Sequence, residues 1–247
     1  MSLLTVSGLV KRYGGLLATD NFSFDVRHGE IHAVIGPNGA GKSTLITQLA
    51  GEVRPDAGRI LLDGRDITNE SVEQRSLRGI ARSYQITSIF PEFSALQNVM
   101  LAVQAHQGHS FRLWSPVDTQ PELTGPAHEA LARVGLESRA HVPVSDMAHG
   151  EQRQLELAMV LAGKPRLLLL DEPMAGMSQA ESLQMTRLLL SIKQDYGIVL
   201  VEHDMDAVFK LADRVTVLVY GRAIASGTPA EIRDNPSVRT AYLGDDE

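Results

Sequence analysis

Residues suited to phosphate chemistry stand together at positions 36–44. The stretch "GPNGAGKST" follows the apolar run "IHAVIG" and opens the helical run "STLITQLAG", so it fits G-x-x-x-x-G-K-S/T in the strand–loop–helix context that this pattern requires. The glycines let backbone N–H groups point at a phosphate, and the start of the helix adds a favourable dipole. The pattern predicts that Lys42 contacts the β- and γ-phosphates and that the Ser43 hydroxyl binds Mg²⁺. The predicted phosphate loop consists of Gly36, Pro37, Asn38, Gly39, Ala40, Gly41, Lys42, Ser43 and Thr44.

Two neighbouring acids follow a second apolar run, "RLLLLDEP" at residues 166–173. Asp171, at the end of this strand-like run, is expected to hold Mg²⁺ directly or through water. Glu172 is expected to polarise the attacking water as a general base. Acids at a strand end are often simply solvated, so the functional interpretation of this pair depends on the presence of the phosphate loop. Together the two segments predict hydrolysis of a nucleoside triphosphate, and the absence of N-K-x-D and T-K-x-D sequences for guanine favours ATP.

Composition narrows the class of protein that carries these motifs. The chain has 247 residues, of which 43% are apolar, enough for a sizeable core. Its 23 Lys+Arg and 30 Asp+Glu give a net charge of -7, which argues against an obligate nucleic-acid binder. Without cysteine it has neither disulfides nor a thiolate metal site, in keeping with a reducing cytosol. We expect a cytoplasmic protein, since the N-terminus lacks a signal-peptide pattern and no apolar run approaches the ~20 residues of a membrane helix.

The elements that must position these residues alternate along the chain. Strand-like runs recur as "FSFDV", "IHAVIG", "RILLDG", "RLLLLD", "GIVLVEHD" and "RVTVLVY", and helical stretches separate the later ones. This alternation predicts an α/β fold with a mainly parallel sheet. The early strands, joined by short turns such as residues 55–58, are predicted to be antiparallel. Residues from about 94 to 162 interrupt the pattern with helices, which indicates an inserted helical subdomain.

Capping residues mark where several helices begin. Ser94 with Gln97 predicts one capping box, and Ser178 with Glu181 predicts another. Thr228, Pro229 and Glu231 combine a cap, a first-turn proline and an acid at the third helical position. In "PAHEALARVG", Pro126 and Gly135 predict the start and the end of a further helix.

With these motifs placed, the chain resembles the nucleotide-binding subunits of ABC (ATP-binding cassette) transporters over nearly its whole length. The resemblance implies a P-loop NTPase fold in which residues 1–247 form a single cassette, with an antiparallel β subdomain beside the parallel core. It implies that Tyr13 in "KRYGG" stacks on adenine and that His203 in "VLVEHD" contacts the γ-phosphate. It also implies that Gln85 in "ARSYQ" contacts Mg²⁺ and the attacking water.

The same resemblance assigns a role to "MAHGE" at residues 147–151, which we call the signature segment. Relatives carry L-S-G-G-Q there, and their two subunits pack head to tail so that each signature caps the γ-phosphate bound by the other. The capping groups are backbone N–H groups at a helix start. The segment retains Gly150, but Ala148 lacks the serine hydroxyl and His149 replaces a glycine. Glu151 replaces glutamine and brings a charge close to the phosphate unless its side chain turns away.

The stretches "FPEFSALQNVMLAV", "DEPMAGMS", "VEHDMDAVFKLADRVTVL" and "AYLG" resemble the ATP-binding subunit of importers for branched-chain amino acids or related solutes. This resemblance implies four things: a second ATP-binding subunit, either a copy or a paralogue; membrane permease subunits; indirectly, a solute-binding protein; and a place on the inner face of the cell membrane. It leaves the substrate open. The alternative is a soluble or regulatory ABC-type ATPase not coupled to transport, suggested by the altered signature segment and by Ser178 at the usual D-loop aspartate.

Overall fold

The computed structural model describes residues 2–83, 89–107 and 120–243. Within this part of the chain there are ten strands, in two sheets. The strands are β1 (Ser2–Tyr13), β2 (Leu16–Arg27), β3 (Ile31–Ile35), β4 (Ala57–Leu62), β5 (Arg65–Asp66), β6 (Ile80–Arg82), β7 (Leu167–Asp171), β8 (Gly197–Val201), β9 (Arg214–Val219) and β10 (Arg222–Gly227).

The helices of the same residues fall between and after these strands. They are α1 (Lys42–Ala50), α2 (Val72–Leu77), α3 (Ala95–Gln107), α4 (Pro121–Arg133), α5 (His149–Ala162), α6 (Gln179–Ile192), α7 (Met205–Leu211), α8 (Pro229–Arg233) and α9 (Pro236–Leu243). None of these described helices combines the length and the apolar character needed to cross a membrane.

The chain divides into two compact units. One comprises Met1–Arg82, Arg166–Glu172 and Leu189–Glu247, and the other comprises Ser83–Pro165 and Pro173–Leu188. The first unit contains both sheets. In the second, α3, α4 and α5 pack on one another, and the buried side chains of Met100, Leu131 and Leu155 lie on these three helices. The assignment of residues 1–247 to a single cassette and of residues 94–162 to an insertion stays a prediction.

The larger sheet has the strand order β10-β9-β3-β8-β7-β6, and only the β9–β10 pair in it is antiparallel. Every residue of β3, β7 and β8 is buried. Continuous burial is typical of parallel strands covered on both faces, and it explains why these segments are unbroken apolar runs rather than alternating ones. The predicted mainly parallel α/β core is therefore confirmed.

The smaller sheet has the order β2-β1-β4-β5 and is antiparallel throughout. In β2, Phe22, Phe24 and Val26 alternate inward and are buried. The turn predicted at residues 55–58 does not join a hairpin, because β4 begins at Ala57 and pairs with β1 and β5. The tight turn instead follows β4, at Asp63 (φ 47) and Gly64 (φ 76), where two positive φ angles suit a two-residue hairpin.

The four predicted helix starts show the value and the limit of capping signals. The boxes at Ser94, Ser178 and Thr228 all form. The start predicted at Pro126 is wrong, because α4 begins at Pro121 and contains Pro126. Leu123 and Ala127 share one face and are both buried, so packing of this face extends the helix by a turn before the proline.

Candidate nucleotide-binding and hydrolysis site

The phosphate loop connects the end of β3 to the start of α1, and backbone packing holds its shape. Gly41 has φ +106, and a Cβ there would lie 2.1 Å from the Ala18 carbonyl oxygen. A Cβ on Gly36 would lie 2.1 Å from the Leu218 carbonyl oxygen. Since backbone atoms cannot yield as a flexible side chain can, both positions require glycine.

The loop ends at the start of α1, which has no side-chain cap. Gly41 caps this helix without any side-chain acceptor, so the first-turn N–H groups have no capping oxygen within the helix. Such amides, together with the helix dipole, form an anion-binding site. The Lys42 ammonium donates hydrogen bonds to the carbonyl oxygens of Gly36 (2.7 Å) and Pro37 (3.1 Å). Burial lowers the pKa of Lys42, and the charges of Glu172 and Asp171 oppose this effect.

Asp171 ends β7 with its side chain almost fully buried, at 3% exposure. The Arg82 guanidinium, on β6, donates from Nη2 to Asp171 Oδ2 at 3.2 Å and from Nη1 to Glu52 Oε2 at 2.7 Å. Burial raises the pKa of Asp171, while the Arg82 charge and hydrogen bond lower it. The carboxylate is thus held by a fixed cation at the end of the strand.

Glu172 directly follows, with a left-handed backbone (φ 51). Non-glycine residues rarely adopt this conformation, and such strain concentrates at functional sites. Its N–H donates to the Val201 carbonyl oxygen at 2.8 Å, so β8 fixes its position. Glu172 Oε1 lies 3.9 Å from His203 Nδ1. The His203 side chain is 64% exposed, which leaves it open to a ligand.

His203 is itself held by the acid that precedes it. The His203 N–H donates to Glu202 Oε2 at 3.2 Å, and the same oxygen lies 3.8 Å from His203 Nδ1. The Glu202 side chain is only 1% exposed. Because β3, β8 and β7 are neighbours in that order, the loop after β3, His203 after β8 and the acids of β7 all lie at the carboxyl ends of adjacent parallel strands. Open α/β sheets bind ligands at this edge.

The residues present fit a nucleotide with Mg²⁺. Among the described residues, no group of three or more His, Cys, Asp and Glu side chains could hold a metal ion alone. Mg²⁺ typically takes one or two protein ligands and completes its shell with water and phosphate oxygens. Ser43 in the first turn of α1 and Asp171 at the end of β7 could supply those ligands. Gln85, the third predicted metal contact, lies outside the described residues.

Tyr13, predicted to stack on adenine, ends β1, and its side chain is 47% exposed. Lys11 Nζ lies 5.6 Å from the ring centroid. The ring therefore has an open surface that a base could cover.

The signature segment lies in the second unit, where α5 begins at His149 after the N-cap residue Ala148. The Gly150 N–H donates to Glu181 Oε1 at 2.9 Å. The Glu151 carboxylate is held by two neighbouring groups. It accepts from the Ala148 N–H at 2.9 Å and pairs with the Arg139 guanidinium at 2.9 Å, so the extra charge is neutralised by a neighbouring cation.

Three contacts of the site residues were not expected from the sequence. Arg82 binds Asp171, Glu202 binds His203, and Glu181 binds Gly150. For Arg82 and Glu202 a signal existed, because each is a charged residue in or directly after an otherwise apolar strand. For Glu181 the signal was the capping box with Ser178. It predicted the local bonds between these two residues but not the long-range bond to Gly150.

A phosphate loop between a buried parallel strand and its helix, with an acid pair on a nearby strand, defines a P-loop nucleoside triphosphatase. The ABC transporter family profile matches residues 19–175, and a profile described as "Branched-chain amino acid ATP-binding cassette transporter" matches residues 224–247.

Similar proteins agree in length as well as in sequence. The high-affinity branched-chain amino acid transport ATP-binding protein LivG of Salmonella typhimurium is 38% identical over 98% of both chains. The corresponding protein BraF of Pseudomonas aeruginosa is 35% identical, again over 98% of both. The crystal structure of the ADP conformation of MJ1267, an ATP-binding cassette of an ABC transporter, matches with a TM-score of 0.88 and 26% identity over 99% of this chain and 100% of that one. This chain belongs to the ABC transporter family, as one of its ATP-binding, ATP-hydrolysing subunits.

Proposed function

We propose that this subunit hydrolyses ATP to power the uptake of branched-chain amino acids, or of a related small polar or organic solute, through separate membrane permease subunits. The observation that carries the proposal is the full-length similarity to LivG and BraF. The profile match at residues 224–247 supports it independently, because it covers a segment outside the phosphate site.

Each group at the carboxyl edge of the larger sheet has a role in hydrolysis. Lys42 leaves the loop carbonyls that it now contacts and binds the β- and γ-phosphate oxygens, while the first-turn amides of α1 bind the same phosphates. Ser43, Asp171 and Gln85 would hold Mg²⁺, which would supply positive charge beside the phosphates. Glu172 accepts the proton of the attacking water. His203 contacts the γ-phosphate.

Stacking on adenine and pairing with a second ATP-binding subunit complete the site. Tyr13 stacks on the base. A second ATP-binding subunit, either a copy or a paralogue, packs head to tail so that its residues 148–151 cap the γ-phosphate bound here. Closure and reopening of this pair on the inner face of the cell membrane drive the permease, which receives its cargo from a solute-binding protein.

Transport in a reconstituted system tests the proposal. The subunit is assembled with its native permease subunits in proteoliposomes, and uptake of labelled leucine, isoleucine and valine is measured with its solute-binding protein and MgATP. We expect ATP-dependent uptake that Glu172→Gln reduces by at least about a hundredfold, because the base is lost while the side-chain shape is kept.

The matched control is Glu73→Gln, the same change of acid to amide at an exposed position of α2, which leaves the base and its neighbours in place and should keep full uptake. Uptake of none of the three amino acids, with ATP turnover intact, would show that the subunit energises a different solute. ATP turnover unaffected by Glu172→Gln would reject the assigned base.

A further inference from the structure

The carboxylate of Glu181, on α6, occupies the start of α5. Its Oε1 accepts the Gly150 N–H at 2.9 Å. Its Oε2 accepts the Ser178 N–H at 2.9 Å and the Ser178 hydroxyl at 2.7 Å. The three bonds bridge the signature segment to the residue at the D-loop position. We call this arrangement the carboxylate latch.

The carboxylate also fills the space that glycine leaves open. A Cβ on Gly150 would lie 2.7 Å from Glu181 Oε1, so the carboxylate lies directly over this residue. The bonds from Ser178 and Gly150 hold the pKa of Glu181 below its usual value, and the side chain is therefore an anion at neutral pH. The Ala148 N–H is taken by Glu151.

We propose that Glu181 is an internal anion that occupies the signature segment of the isolated subunit and that the γ-phosphate of the partner's ATP must displace. This inference rests on the proposed role of residues 148–151. If the Glu181 carboxylate and the γ-phosphate were both at the Gly150 N–H, the two anions would stand within a few ångströms of each other, where like charges repel. Phosphate and carboxylate therefore exchange, and the latch lowers the affinity of the subunits for each other.

Ser178 is part of the same device. It stands where many relatives place an aspartate. An aspartate there would keep the backbone N–H bond to Glu181, but it would lose the hydroxyl bond and place a second negative charge beside the carboxylate. Ser178 thus holds the Glu181 carboxylate at the start of α5. A serine in place of the usual aspartate therefore helps to control when two subunits close on each other.

The test compares dimer dissociation constants in a Glu172→Gln parent, which retains ATP, by sedimentation velocity with saturating MgATP. Adding Glu181→Gln keeps the shape of the side chain but removes its charge. We expect the dimer to become at least about fivefold tighter, since a charge-assisted hydrogen bond no longer competes with the phosphate. Ser178→Ala is expected to act in the same direction with a smaller effect.

A matched control exists in α8. Glu231 accepts the Thr228 N–H at 2.7 Å and the Thr228 hydroxyl at 2.9 Å, so it forms the same capping box without any bond to the signature segment. Glu231→Gln is expected to cost similar helix stability, read as the unfolding temperature, and to leave the dimer dissociation constant unchanged.

A dimer that is unchanged or weakened by Glu181→Gln overturns the latch, because a residue that merely supports the segment would give that result. If the parent stays monomeric and the Glu181→Gln variant dimerises, the latch is supported. If no variant dimerises although ATP binds, pairing between identical chains is wrong, and the latch fails with it. If the parent dimerises and Glu181→Gln does not tighten it, the pairing holds and only the latch is wrong.

Discussion

At the scale of single residues, Arg82 holds the carboxylate of Asp171, the proposed metal ligand, in position. The aspartate is nearly buried, and burial of an anion is costly unless a cation or hydrogen bonds compensate. Arg82 provides both the positive charge and a hydrogen bond, which it donates from Nη2 to Asp171. Its Nη1 donates to Glu52, which fixes the guanidinium.

We expect Arg82→Gln to raise the Mg²⁺ concentration needed for half-maximal ATP turnover by about tenfold, because groups that orient a metal ligand typically affect metal affinity this much. Binding of Mn²⁺ in the presence of ATP, followed by electron paramagnetic resonance, should weaken in parallel. ATP binding in EDTA should change little. Arg78→Gln is the control, since Arg78 pairs with Glu70. An equal Mg²⁺ requirement in both variants would argue that Arg82 has no part in metal binding.

At the scale of elements, the sequence predicts best what is local. The phosphate loop was predictable because glycine, lysine and serine at fixed spacing describe one continuous turn between β3 and α1. The parallel core was predictable because its buried strands are unbroken apolar runs. The start of α4 was not, since the burial of Leu123 outweighs the local signal of Pro126. The bond from Glu181 to Gly150 spans 31 positions and follows no periodic pattern.

The strand pair β3–β9 contains a further group that local pattern does not reveal. His32 is fully buried, and its Nδ1–H donates to the Asp25 carbonyl oxygen at 2.8 Å, since a carbonyl can only accept. In the neutral ring Nε2 then accepts from the Thr216 hydroxyl at 2.7 Å. The Ser226 hydroxyl lies 2.9 Å from that of Thr216. Protonation of Nε2 would make the Thr216 hydroxyl accept instead of donate, and it would place a positive charge in a buried site.

The network makes stability depend on pH in a defined window. Burial and the Arg214 charge lower the pKa of His32 from 6.5 to about 4, so the unfolded chain binds more protons between these values. The contribution of His32 is therefore fully present above pH 6.5 and is lost as pH falls towards 4, by about 3 kcal/mol. Urea unfolding across this range should show the loss in the natural chain and a shallower slope in His32→Gln. The exposed His28→Gln should keep the full slope; equal slopes in all three would refute this origin.

At the scale of the whole molecule, composition and motif order predicted the class of protein, and the similarity to LivG and BraF over 98% of the chain agrees with it. The amino acid sequence says less about pairing, because the signature segment departs from L-S-G-G-Q at four of its five positions. The structure shows that one of these departures is accommodated, because Glu151 pairs with Arg139. The retained Gly150 has its N–H at the start of α5, where it donates to Glu181.

We therefore expect the Glu172→Gln variant to double its solution mass when MgATP is added and to return to a monomer when EDTA removes the metal. Loss of the base should trap ATP in the closed pair, while the phosphate loop still binds ATP and the γ-phosphate of the partner's ATP displaces Glu181 from the Gly150 amide. Light scattering coupled to size exclusion measures the mass, and Lys42→Ala added to the same variant provides the control, since it removes the phosphate contact and should abolish the change. A variant that binds ATP as tightly as expected but remains monomeric even after Glu181→Gln is added would mean that identical chains do not pair and that a different ATP-binding subunit completes the site. Addition of that paralogue would then restore the ATP-dependent rise in mass, which places the specificity of assembly in the partner rather than in the hydrolysis site.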